Sequence, residues 1–195
     1  MNLAAAQKLL LAPDAKLPQR DFLLDANRMA KRFSTRLCKH GAVALDACET
    51  VRVKYRCGAN LRVLYKVRCG EHELKVAART FPDDRGADVC AESLKNAVGY
   101  SSAKPVFYDA ELQTVFWTFP NDRKISNLRV LSHTPKSLSN INGRIWAASR
   151  VVAYAPEKCA TAECLDETGA IIAYAKVFAG DEGREIHNLY QEFQN

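Results

Sequence analysis

One pattern of residues occurs twice in this chain, and a chain that repeats itself is constrained to build one structural unit twice. Residues 51–65 followed by 76–86 read like residues 150–164 followed by 173–183. Tyr55 falls where Tyr154 falls, Arg79 where Lys176 falls, Phe81 where Phe178 falls and Gly86 where Gly183 falls, with a difference of two residues in the hairpin between. The expectation is that the two stretches superpose, with Arg79 and Lys176 at equivalent points.

The second occurrence closes the chain. Over 170–178 an apolar run carries one lysine, and strand alternation puts Ile171, Ala173, Ala175 and Val177 on one face and Ile172, Tyr174, Lys176 and Phe178 on the other. After the turn at Gly183, Ile186, Leu189, Tyr190 and Phe193 recur at helical spacing, flanked by Glu185 and Glu192. Strand, turn and helix are therefore predicted. Glu192 comes 16 residues after Lys176, a separation that suits a strand lysine reaching a glutamate on a helix packed across the sheet. Kinase-like folds hold the α- and β-phosphates of ATP with such a pair. The plainer alternative is a solvated strand-end lysine and an exposed helix glutamate.

Taken together, the hairpin opening at Tyr154 and Pro156, the Ala-Tyr-Ala-Lys-Val-Phe run at 173–178 and the Asp-Glu-Gly turn at 181–183 resemble the N-terminal lobe of the aminoglycoside and choline phosphotransferase superfamily, which has a protein-kinase-like fold. Residues 105–119 resemble the fourth and fifth strands of such a lobe, and the resemblance covers 43–119 and 149–195. It implies an α+β chain: N-terminal helices over 1–42, a first kinase-like N-lobe over 43–134, and a second over 135–195 that is shortened after its helix. Each lobe is an antiparallel sheet with one helix. It further implies ATP and magnesium as ligands, with Lys176, Glu192 and Lys158 toward the nucleotide, and as partners a nucleotide and a missing C-terminal lobe or partner protein.

The departures from that family pattern matter as much. Arg79 has Lys95, not a glutamate, 16 residues on, and two cations make no such pair. Arginine is also a planar fork where a compact ammonium is wanted. The first lobe thus reads as kept for its shape, non-catalytic or regulatory. A phosphate loop brings backbone N–H groups close to the nucleotide, which glycine permits, yet the first tip has only Gly58 and the second reads Ala-Pro-Glu-Lys-Cys over 155–159. His133 is followed by Thr134 and Pro135, so no catalytic base or metal carboxylate follows it, and phosphoryl transfer needs both. The chain reads as the N-terminal part of a phosphotransferase for a small molecule, inactive alone. The alternative is a non-enzymatic interaction module with kinase-like lobes.

The remaining sequence sets bounds. A 195-residue chain that is 48% hydrophobic can bury a core. Its seven cysteines are scattered without a Cys-x-x-Cys, and the four histidines stand alone, which favours neither zinc nor disulfides and suits a reducing cytoplasm. No apolar run approaches the roughly 18 residues of a membrane span. A short helix is predicted over 2–11 and a longer one over 19–40, stopped by Gly41. Its basic side, with Arg20, Arg28, Lys31, Arg32, Arg36 and Lys39, and a net charge of +6 raise an RNA-binding alternative. Asp21 and Asp25 interrupt that side and favour an ordinary solvated face bracing the first lobe. Strands are predicted over 43–47, 51–56, 61–69 and 73–81, and a helix over 85–98.

Overall fold

The computed structural model describes residues 12–41, 44–83, 85–99, 102–132, 140–141 and 143–193. The helix expected over 2–11, together with Val43, Asp84 and the 133–135 triplet, lies outside them. The fold is α+β with antiparallel sheets, and the chain divides into two compact units, Met1–Phe119 and Pro120–Asn195.

In the first unit the predicted 19–40 helix is two helices, α1 (Arg20–Leu24) and α2 (Ala26–Arg36). The break is at Asp25, whose extended backbone frees its carboxylate to accept from the N–H groups of Asn27 and Arg28 as an N-cap. Strands β1 (Ala47–Arg56), β2 (Asn60–Cys69) and β3 (His72–Thr80) follow, then helix α3 (Gly86–Lys95) and strands β4 (Val106–Asp109) and β5 (Thr114–Thr118). The sheet order is β1-β2-β3-β5-β4, with every pair antiparallel. The two strands expected before residue 57 are one, because a bulge between Thr50 and Arg52 absorbs the irregularity.

Strand alternation decides which face meets which helix. Leu61, Val63, Tyr65 and Val67 of β2 are fully buried with Met29 and Phe33 of α2, and Phe33 meets Tyr65 and Phe116 edge to face. On the other face Val106, Val115 and Trp117 pack with Phe81 and with Cys90 of α3. The N-terminal helices are thus part of this unit and not a separate 1–42 segment. Arg32 of α2 fastens them further, its guanidinium gripping both oxygens of Asp109 at 2.6 and 2.7 Å.

The second unit begins with a 3-10 turn at Leu128–Leu131 and a short ribbon of β6 (Asn140–Ile141) with β7 (Arg144–Ile145). Strands β8 (Ala148–Ala155), β9 (Cys159–Leu165) and β10 (Ile171–Phe178) form a sheet in the order β10-β9-β8, and helix α4 (Glu182–Phe193) follows. The division between units falls before Pro120, not between 134 and 135 as the sequence suggested, because Asp122 bonds to the β8–β9 hairpin. Ala160, Ala162 and Cys164 line the buried side of β9, whereas α4 buries no residue.

Candidate functional site

Of the residues singled out for nucleotide, Lys176 lies on β10 opposite Thr161, exposed, with its ammonium 4.7 Å from the centroid of the Phe178 ring. Glu192 is exposed in the last turn of α4, and among the described residues no ion pair joins it to Lys176. The reason is packing: a helix that buries none of its residues does not hold a glutamate against the sheet. Lys158 is exposed at the β8–β9 tip, where its carbonyl accepts from Ala179 N–H at 2.8 Å. The structure does not bring the three together through any contact. Lys95, the counterpart of Glu192, pairs with Glu92 on its own helix.

A different constellation recurs in both units. The Asp14 carboxylate accepts from the Tyr55 hydroxyl at 2.6 Å, from Gly58 N–H at the β1–β2 tip at 2.8 Å and from Lys16 N–H at 3.0 Å. The Asp122 carboxylate accepts from the Tyr154 hydroxyl at 2.7 Å, from Glu157 N–H at the β8–β9 tip at 2.9 Å, and from the N–H groups of Lys124 and Ile125. In each case the next apolar residue, Leu17 or Ile125, is buried and its carbonyl accepts the N–H that opens the following helical turn, Arg20 or Leu128. Tyr55 pairs with Leu61 across its hairpin, as Tyr154 pairs with Ala160.

Both tips use left-handed backbone at the donor residue: Gly58 at φ 65° and Glu157 at φ 63°. Glycine takes that conformation at no steric cost, while a glutamate there must be held. Asp122 holds its N–H, and Arg123 holds its side chain at 2.6 Å. The Gly58 N–H and the Tyr55 hydroxyl bring Asp14 down to about 2 from an ordinary 3.8. The bond to Asp14, followed by burial, pushes Tyr55 up to about 12. Burial raises Tyr154 well above its ordinary value, with the Asp122 charge adding to it.

Such backbone donors at a hairpin tip are what a phosphate loop offers an anion. Here an internal carboxylate already sits on them. Sequence reading found the tyrosines but missed the aspartates, which stand 41 and 32 residues upstream. The available signal was Asp-x-Lys followed by leucine or isoleucine, at 14–17 and at 122–125.

The units differ in charge across the sheet. Lys54, Arg62 and Arg79 stand directly opposite one another on β1, β2 and β3, with Arg79 5.3 Å over the Phe81 ring. The row in the second unit reads Ala153, Thr161 and Lys176. The basic side of the 19–40 segment is largely spent on the fold. Arg20 is buried and donates to the Ala12 carbonyl, the Tyr55 hydroxyl and Asp21, Arg32 holds Asp109, and Arg28 and Arg36 lie beside Asp25 and Glu111. Those contacts leave little of it for RNA phosphates.

Among the described residues no group of three or more His, Cys, Asp or Glu is arranged to hold a metal ion, and no helix is long and apolar enough to cross a membrane. No family model, curated protein or solved structure matches the chain.

Proposed function

We propose that this chain is the non-catalytic, lobe-type part of a kinase-like phosphotransferase, with two units built on one N-terminal-lobe plan that serve binding and assembly. The observation that carries the reading is the recurrence of the aspartate–tyrosine–tip clamp, Asp14 with Tyr55 and Gly58, and Asp122 with Tyr154 and Glu157. A repeated hairpin locked by the same three-part contact supports repeated lobes. It also bears on chemistry, because a phosphate entering either tip would have to displace a carboxylate of its own charge sign from the backbone donors. In this reading the general base and the magnesium carboxylates come from a catalytic lobe that is a partner of these units.

A second reading keeps ATP and magnesium at the second unit. The exposed Lys176 on its strand, with Lys158 at the tip, favours it. Calorimetric titration of magnesium ATP into the wild type, Lys176→Ala and Asp122→Asn separates the two. The first reading expects no saturable heat in wild type or Lys176→Ala up to on the order of 1 mM, the weak end of small-ligand affinity. Saturable binding by the wild type that Lys176→Ala abolishes would replace it with the second.

A further inference from the structure

We infer that the outer edge of β10 and the apolar stripe of α4 form a seat for an aromatic-rich β-hairpin carried by a partner polypeptide, added to the sheet as β5 and β4 are added to β3. The inference rests on reading the two units as repeats, and it names the partner chemistry for the assembly role.

The first unit shows how such an edge is covered. β5 pairs antiparallel with β3 from Val76 opposite Thr118 to Thr80 opposite Thr114, and β4 pairs with the far side of β5. Helix α3 then rests on the added hairpin: Val106, Val115 and Trp117 bury Phe81 and Cys90, and the Trp117 indole donates to Ser93 Oγ at 3.0 Å. Gly86 opens α3 so close to β4 that a Cβ there would come 2.3 Å from the Tyr108 ring. Cover for α3 is thus supplied by the hairpin.

The second unit carries the same strand and helix without that cover. β10 is an edge strand, so a row of its backbone N–H and C=O groups has no strand partner among the described residues. On α4, Leu189, Tyr190 and Phe193 are 53%, 65% and 86% exposed. Tyr174, on the same strand face as Phe178, is also exposed. An edge supplies main-chain hydrogen bonds to an incoming strand, and apolar pockets on the neighbouring helix select its side chains, which is how strand addition achieves affinity and specificity. A bilayer or a nucleic acid has no strand to pair with this edge. A second copy offering its own β10 would be related by a two-fold axis perpendicular to the sheet, bringing its α4 onto the same face, where the two helices would compete for the same strands.

A synthetic peptide of residues 105–119, the stretch that covers the equivalent edge, is the probe. Hydrogen exchange of the full chain is measured with and without it, alongside anisotropy of the labelled peptide. Saturable slowing of exchange in β10 and α4, leaving the first unit unchanged, is expected. The variant combining Leu189→Asp with Phe193→Asp, both at exposed positions, should weaken binding by about tenfold or more, as for anchors turned into charges. No slowing in β10 at millimolar peptide, or equal binding by the double variant, overturns the inference. So does concentration-dependent protection of β10 without peptide, which would make the occupant a second copy. Unprotected β8 and β9 amides in the peptide-free chain would instead overturn the repeat reading itself, whereas protected β8 and β9 with an unresponsive β10 would sink this inference alone.

Discussion

The two units answer the same mechanical problem at one end of the hairpin and differ at the other. Both tie the tip down with an aspartate, a tyrosine hydroxyl and one left-handed N–H. Beyond the third strand they part. β3 is covered by β5 and β4, and Phe81 is buried, whereas β10 is an edge and Phe178 is only half-buried. Tip geometry is therefore independent of edge cover, since the clamp contacts are local to the tip and the edge contacts come from a separate hairpin. The first unit completes a two-faced core around its sheet, and the second leaves its helix face in solvent.

The largest expected contrast follows from that difference. Phe116→Ala should cost the first unit about 3–5 kcal/mol, as for a large aromatic removed from a closed core. Phe193→Ala should change the second by no more than about 0.5 kcal/mol, as for a surface position. The chain has two tryptophans, Trp117 in the first unit and Trp146 in the second, so single-tryptophan variants let denaturant unfolding be followed unit by unit. Equal losses in the two units would break the comparison.

The shared clamp should yield a smaller and matched effect. Tyr154→Phe leaves one Asp122 bond unmade inside the protein and should cost about 1–2 kcal/mol, with Tyr55→Phe moving the first unit in the same direction. Acid sharpens the test. Asp14 titrates in the folded chain at about 2, below its ordinary 3.8, so its contribution is complete above the ordinary value and is lost as pH falls through about 2. In an acid titration followed through Trp117, Asp14→Asn should remove that part of the first unit's loss of stability, and an unchanged profile would separate the clamp from stability.

The smallest effect concerns Lys176 and Glu192. Each alanine variant should alter stability by no more than about 0.5 kcal/mol, and a double-mutant cycle should show coupling near zero. Coupling of about 1 kcal/mol or more would restore the strand–helix pair.

Much of the fold is written in short-range pattern. The alternation of Leu61, Val63, Tyr65 and Val67 predicts the buried face of β2, and the stripe through Phe22, Met29 and Phe33 predicts the helix face that covers it. Asp25 is legible as polar but not as a break, because capping depends on its backbone leaving the helix. The basic side of the same segment misleads for a similar reason: Arg32 is bound to Asp109, 77 residues away, and Arg20 to Tyr55, 35 residues away. Asp14 and Asp122 were invisible because their tyrosines are distant in sequence. The Lys176–Glu192 spacing supplied reach, but reach is not packing.

The exposed lysine of β10 has one further consequence. Residues 171–178 are apolar or aromatic apart from Lys176, and they run along a sheet edge. Short uncharged strands of that composition stack on their own kind into aggregates. An ammonium in the middle of the run makes every such stacking event bring like charges together and strip water from them, a device that guards edge strands in many sheets. Lys176 is in that sense a gatekeeper, keeping the edge soluble without blocking its backbone groups.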